Sequence, residues 1–199
     1  NPGTTSPAIN VTTYTYDQNG NLTQAGSTTY VYDYQNRITS LGFSNSTTTY
    51  GYDYLGNRVF QQGTTTTTLY PFKNYSIASS TGAGAKYSTT TVSIYGGETL
   101  LSTVDTQLQS GTATSTQTRY IHPDHLGSTN VITDENGALV QTLDYYPFGS
   151  QRINTGTSTS QRQYIGQYFD PSSSLSYLNA RYYESSRGQF LSQDPMFWS

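Results

Sequence analysis

One short phrase recurs along this 199-residue chain: Tyr-Asp-x-x-Gly-Asn, or a near copy, set among alternating tyrosines and threonines. It reads Tyr16-Asp17-Gln18-Asn19-Gly20-Asn21-Leu22 first, then Tyr32-Asp33-Tyr34-Gln35-Asn36-Arg37-Ile38. Tyr52-Asp53-Tyr54-Leu55-Gly56-Asn57-Arg58-Val59 follows, and Asp134-Glu135-Asn136-Gly137-Ala138-Leu139 is a looser copy. A repeat of this kind builds an extended β architecture. Ahead of the first three copies, Tyr14 and Tyr16, Tyr30 and Tyr32, and Tyr50 and Tyr52 share a face, with the period of two that marks a strand.

The phrase itself specifies a turn. Asp17, Asp33, Asp53 and Asp134 suit the first position of a type I turn, where a carboxylate accepts backbone N–H bonds. Gly20, Gly56 and Gly137 suit the fourth, where the chain visits positive φ before returning. Asn36 fills that slot in the second copy, and Asn is the residue other than Gly that best tolerates it. The expected connection is a type I turn with a Gly bulge, so each copy is a hairpin.

Composition agrees with strands and leaves little for an aliphatic core. Hydrophobic residues are 33% of the chain, and 20 of the residues are Tyr. Only 11% are charged, so the surface is neutral and polar, and the net charge of −3 offers no phosphate-binding face. Nucleic acid is therefore not an expected partner. No apolar run approaches the roughly 18 residues of a membrane span. Cysteine is absent, so disulfides say nothing about the compartment. The start at Asn1 reads as an internal or processed end. No phosphate loop, Gly-x-Ser-x-Gly elbow or Cys nucleophile is present, and no cofactor is expected.

Along the chain, residues 1–10 read as a lead-in and residues 11–118 as the repeat hairpins. The Thr64–Thr68 and Thr89–Thr91 runs and the segments around Gly96-Gly97 read as further strands. Gln109–Thr116 reads as a polar loop and Asn154–Ser160 as a flexible stretch; Leu175–Ala180 is the only helical turn the pattern allows.

Residues 119–199 carry a second set of signals. Tyr120-Ile121-His122-Pro123-Asp124-His125-Leu126-Gly127-Ser128-Thr129 and Asp144-Tyr145-Tyr146-Pro147-Phe148-Gly149 come first. Gly166-Gln167-Tyr168-Phe169-Asp170, Asn179-Ala180-Arg181-Tyr182-Tyr183 and Gly188-Gln189-Phe190-Leu191-Ser192-Gln193-Asp194-Pro195 follow. These five elements resemble, in order, the associated core of the RHS or YD-repeat family, and the tyrosine-aspartate copies resemble its repeats. The resemblance implies an all-β fold: YD-repeat hairpins wound into an extended, twisted antiparallel sheet, spiral or shell-like. It implies a secreted or cell-surface structural protein that forms the wall of a shell around a C-terminal toxin, or an extracellular fibre. Its partners would be other copies of itself, the rest of a longer RHS polypeptide, or that toxin cargo. Two departures stand out: Gly188-Gln189-Phe190 replaces the family's Gly-Arg-Phe, and the segment after Asp194-Pro195 lacks the second aspartate that some members use to cut themselves.

Four residues invite chemistry. Asp194 is the candidate for autoproteolysis, which needs a second carboxylate sharing its site; the plainer reading has Asp194-Pro195 ending a strand and opening a turn. His122, Asp124 and His125 are candidate metal ligands, but their spacing matches no recognised zinc pattern and a structural turn is the plainer reading. Exposed tyrosines would suit a glycan-binding module, whereas ordered ladders of them suit cross-strand packing. The sequence thus favours a non-enzymatic structural role. Self-assembly by strand addition is the first alternative and a self-cleaving core the second.

Overall fold

The computed structural model describes residues 12–82, 86–156 and 160–194. Among them, fourteen strands form one sheet in strict chain order, each antiparallel to the next. The repeat hairpins come first: β1 (Tyr14–Tyr16) with β2 (Leu22–Ala25), β3 (Thr28–Tyr32) with β4 (Ile38–Phe43), and β5 (Ser46–Tyr52) with β6 (Arg58–Gln62). A Thr- and Ser-rich run continues as β7 (Thr66–Phe72), β8 (Tyr75–Ser80), β9 (Tyr87–Gly96) and β10 (Thr99–Gln109). β11 (Thr112–Pro123), β12 (Thr129–Thr133), β13 (Leu139–Tyr145) and β14 (Gln151–Gly156) complete the sheet. The chain then makes a short 3-10 turn, Tyr164–Gly166, and folds a second antiparallel sheet of four strands. These are β15 (Tyr168–Asp170), β16 (Leu175–Leu178), β17 (Arg181–Glu184) and β18 (Gln189–Phe190). Residues 160–194 are called the strap below, and the fourteen-stranded sheet the wall.

The repeat phrase makes one turn over and over. Asp17 Oδ1 accepts the backbone N–H groups of Asn19 and Asn21, both at 2.9 Å, while Gly20 donates its N–H to the Asp17 carbonyl at 3.1 Å. Asp33, Asp53 and Asp134 hold their turns by the same pair of side-chain bonds. Gly20, Gly56 and Gly137 stand at φ +77°, +86° and +79°, and Asn36 at +60°. Pairing slips by one residue just before each turn, between Thr15 and Tyr16, Val31 and Tyr32, Gly51 and Tyr52, and Ile132 and Thr133. That slip is a bulge, and it increases the local twist of the wall.

Two local expectations are corrected. Gln109–Thr116 is not a loop: β10 runs to Gln109, β11 starts at Thr112, and Ser110 and Gly111 alone turn the chain at φ 52° and 83°. Two consecutive positive-φ residues make the tightest hairpin connection, and polar residues form its strands because both faces there are largely exposed. Leu175–Ala180 makes no helical turn either. Leu175–Leu178 is β16, closed onto β17 by Asn179 at φ 60°. The wall runs without a break through residue 118, which lies inside β11. The lead-in expected over residues 1–10, Pro195, and the middle of the Asn154–Ser160 stretch lie outside the described residues, although β14 reaches Gly156.

One core joins the two sheets. Leu22, Tyr30, Ile38, Leu41 and Tyr50 of the wall pack against Leu175, Tyr177, Tyr182 and Leu191 of the strap. Wall strands that carry alternating Tyr and Leu thus bury one face under the strap, as period-two patterning requires. A smaller cluster of Leu100, Ile121 and Ile132 sits further along the wall.

Candidate functional site

The strap reaches both the early and the late wall strands, and the bulges are where it docks. A bulge leaves a backbone N–H out of the ladder. At the first turn that donor is Leu22, which gives its N–H to the Leu191 carbonyl at 2.8 Å. At the third it is Arg58, whose N–H meets the Tyr177 hydroxyl at 2.8 Å. Near β12 it is Thr129, which donates to the Gln163 carbonyl at 3.0 Å, while its hydroxyl donates to the Arg162 carbonyl at 2.7 Å. Tyr183 and Tyr164 add hydroxyl bonds to the carbonyls of Phe148 and Pro147 in the β13–β14 turn. Arg187 lies over the Tyr14 ring at 4.8 Å. One short sheet therefore holds strands from both ends of the wall.

The tyrosine of the repeat has its own task. Tyr32 donates its hydroxyl to the Leu22 carbonyl at 2.8 Å, and Tyr52 donates to the Ile38 carbonyl at 2.6 Å. Tyr145 does the same to the Thr129 carbonyl at 3.0 Å. In each case the tyrosine of one unit clasps the strand that leaves the previous turn. So the aspartate closes its own turn, and the tyrosine ties consecutive units together.

Five residues past the repeat aspartate the sequence places Leu22, Ile38 and Arg58 in successive copies. All three are buried. An arginine therefore occupies a slot that is aliphatic in the two preceding units. Its Nη1 meets Asp170 Oδ2 of β15 at 2.6 Å, with the two side chains 1% and 4% exposed. Its Nη2 donates to the Tyr70 hydroxyl at 3.2 Å. Five tyrosine rings surround the guanidinium: Tyr70 and Tyr177 at 4.8 and 4.7 Å, and Tyr50, Tyr168 and Tyr182 at 5.6 to 6.0 Å. Ring faces attract a cation most strongly when water is excluded, as here.

Burial works against the charge of Arg58, and Asp170 together with Tyr182 and Tyr70 outweighs it, holding the guanidinium above its ordinary range. Burial likewise pushes the Asp170 carboxyl up, and Arg58 opposes that shift. Only the ionised pair leaves neither group as an unpartnered charge. Burial also raises the tyrosines of the cage, Tyr50, Tyr70, Tyr177 and Tyr182, so they remain neutral phenols. The arrangement buries both members of the pair, which meet each other rather than solvent. What it does is fix the strap to the wall in one register.

The residues singled out from sequence fall in separate places. Asp124 Oδ1 takes the backbone N–H groups of Leu126 and Ser128 at 2.8 Å, so Asp124-His125-Leu126-Gly127 is another copy of the repeat turn. The carboxylate closes that turn, not the imidazoles. His122 Nε2 lies 3.0 Å from the Thr133 hydroxyl. Among the described residues, no group of three or more His, Cys, Asp or Glu side chains could hold a metal. Asp194 pairs with Arg181 at 3.0 Å. Arg187, the nearby arginine in the altered Gly-Gln-Phe element, pairs with Glu184 through Nε at 2.8 Å. No described helix is long and apolar enough to cross a membrane. Arg58 and Asp170 were not picked out by sequence; the one available signal was Arg58 standing in register with Leu22 and Ile38.

A family model described as the teneurin YD-shell matches residues 5–199. The chain belongs to the teneurin YD-shell family. This agrees with the RHS and YD-repeat resemblance of the motifs and with the expected all-β antiparallel architecture. The tRNA3(Ser)-specific nuclease WapA of Bacillus spizizenii is 30% identical over 195 residues, which is 94% of this chain and 8% of that protein. The double-stranded DNA deaminase toxin A of Burkholderia cenocepacia is 30% identical over 82 residues, 39% of this chain and 6% of that protein. The crystal structure of TcdB2-TccC3 superposes with a TM-score of 0.81 at 17% identity, over 91% of this chain and 10% of that one. The Photorhabdus luminescens Tc holotoxin pore gives 0.80 at 17% identity, over 90% of this chain and 9% of that one. This YD-shell chain thus spans a tenth or less of the length of these proteins.

Proposed function

We propose that this chain is structural: it forms part of the wall of a YD shell that encloses a C-terminal toxin, in a secreted or surface-displayed protein. The observation that carries the reading is the strap, which touches early and late strands of a fourteen-stranded sheet and is fixed to its β6 by the buried Arg58–Asp170 pair. A wall whose early and late strands share one strap suits enclosure. The names of the toxin and nuclease relatives supply the class of cargo by analogy, and the cargo chemistry belongs to sequence outside the shell. On this reading the chain is not an enzyme, and Asp194, tied to Arg181, serves the fold.

Electron microscopy of a polypeptide carrying this chain with its native flanking sequence tests the proposal. Discrete particles with enclosed density support it. The rival within the structural class is a filament built by strand addition, since β1 and β14 are the outer strands of the described sheet. Continuous fibres would favour that rival and remove the shell.

A further inference from the structure

Most of the arginines of this chain have a carboxylate partner. Arg37, Arg58, Arg152, Arg181 and Arg187 are each ion-paired. Arg119 of β11 and Arg162 of the strap pair with no carboxylate among the described residues, yet both line one cavity of about 350 Å³. That cavity lies between the strap and strands β8 to β12, and its size is at the lower end of small-molecule sites.

Its lining inverts the pattern of the core. Around Leu22 and Leu41 the wall turns apolar side chains toward the strap. Along β9 to β11 the side turned to the strap carries Thr91, Asp105, Gln117 and Arg119, while Val92 and Ile94 take the opposite face and are exposed. An antiparallel sheet with one covered face ordinarily keeps its polar side chains for water. Here they are turned into a lined cavity, which suits a polar occupant.

The two cations are held in place without being neutralised. Arg162 donates through Nη1 to the Gly166 carbonyl at 3.1 Å and through Nη2 to the Lys73 carbonyl at 3.3 Å. Its guanidinium lies 3.9 Å from the centre of the Tyr168 ring. The Nε is buried and finds no acceptor with hydrogen-bond geometry, and a guanidinium has further N–H donors to give. Arg119 donates through Nη2 to Gln117 Oε1 at 2.6 Å. Asp105 is the one carboxylate in the lining, and its Oδ1 accepts the Thr91 hydroxyl at 2.6 Å. That bond holds Asp105 on the β9 side of β10, whereas Arg119 stands on the β11 side. The lining therefore carries an excess of positive charge, in a chain whose net charge is −3.

We infer that this cavity binds a small hydroxylated organic carboxylate, its carboxyl group held by Arg119 and Arg162. A carboxylate presents two coplanar oxygens that match the guanidinium fork, and its charge offsets the local excess. Its hydroxyls find Thr103, Gln107 and Gln161 in the same lining. The inference does not depend on whether the wall closes into a shell.

The test is calorimetric titration of the protein with lactate, malate and citrate, in a low-salt buffer free of other carboxylates, with glycerol and inorganic phosphate as comparisons. At least one carboxylate should bind at millimolar concentration or below, more tightly than phosphate, and glycerol should not bind. Arg119→Gln should weaken that binding about tenfold or more, the scale of one charge-assisted hydrogen bond. Asp105→Asn should act in the opposite direction and tighten it, because a like charge leaves the cavity while the amide oxygen still accepts the Thr91 hydroxyl. Neither substitution breaks an ion pair, so both variants should keep the circular dichroism and Tm of the parent. Silence of all three carboxylates at millimolar concentration overturns the proposal. So does tighter binding of phosphate, binding that Arg119→Gln leaves unchanged, or weaker binding in Asp105→Asn.

Discussion

Removing the Asp170 carboxylate should unlatch the strap. Asp170→Asn keeps the volume but leaves the Arg58 guanidinium 1% exposed, without its anion and still inside the wall. Breaking a buried pair on one side costs about 3–5 kcal/mol, because the surviving charge stays desolvated. The tyrosine faces recover part of that, at most about 2 kcal/mol for a well-desolvated cation–π site. The expected net loss is therefore about 2–4 kcal/mol, or a fall in Tm of roughly 5–15 °C for a chain of this size. Arg58→Leu alone should be comparably harmful, since it strands Asp170. The combination Arg58→Leu with Asp170→Leu should differ, because Leu22 and Ile38 already show that the slot accepts an aliphatic side chain. That double variant should recover most of the loss, giving a coupling of at least about 2 kcal/mol in the cycle. Thermal and urea unfolding of all four proteins measure this directly. Additive single effects would mean that the pair is not a unit and that the latch argument is wrong.

Other consequences follow from the same geometry. Alkali should unfold the protein cooperatively: burial raises the Tyr30 phenol from 10.0 to about 12, and Tyr32, Tyr50 and Tyr52 rise further. A raised phenol contributes stability that is intact below pH ~10 and lost as pH climbs through ~12, so tyrosinate absorbance of the buried set should appear together with unfolding. Titration of that set with the fold intact would contradict the burial. Gly137→Ala should cost only about 1 kcal/mol, from positive φ alone, since its surroundings are open. Gly149→Ala should cost clearly more, because a Cβ there would collide with the Tyr164 ring of the strap; equal losses would show that this contact is absent. In a longer polypeptide with its flanks, Asp194→Asn should leave any processing unchanged; an uncut product in that variant alone would establish the self-cleaving role instead.

The turns were the most legible part of this chain. Asp and Gly at a fixed offset impose a backbone shape by local bonds alone, so Asp17, Asp33, Asp53 and Asp134 could be placed before any tertiary contact was known. Even so, the same turn at Asp124 was masked by its two histidines, which drew attention to metal. The Gln109–Thr116 hairpin was illegible for the opposite reason. Strands exposed on both faces show no alternation of polarity, and Ser110-Gly111 is a faint signal among so many serines and threonines. Leu175–Leu178 gave no periodic signal because all but its last residue are buried.

The latch could not be seen because it is long-range. Arg58 and Asp170 lie 112 residues apart, and an arginine on a repeat strand ordinarily reads as surface. The burial of Arg58 depends on five tyrosines, of which Tyr168, Tyr177 and Tyr182 arrive with the strap. Only the register of the repeats, with Leu22 and Ile38 in the matching slot, marks the position as interior. The clasp made by the repeat tyrosine was hidden likewise. Tyr32 and Tyr52 reach carbonyls of the preceding unit, and alternation says which face a tyrosine takes but not whose backbone it meets.

The docking of the strap on the wall has one direct test: hydrogen exchange at the amides of Leu22, Arg58 and Thr129. Each bulge leaves its amide out of the wall's own ladder, and the strap supplies the acceptors, the Leu191 carbonyl, the Tyr177 hydroxyl and the Gln163 carbonyl. All three amides should be protected as strongly as the β16–β17 hairpin, and Asp170→Asn should release Arg58 first. Exchange of these amides at the rate of open turns, while β3 and β4 stay protected, would show that the strap does not hold the wall.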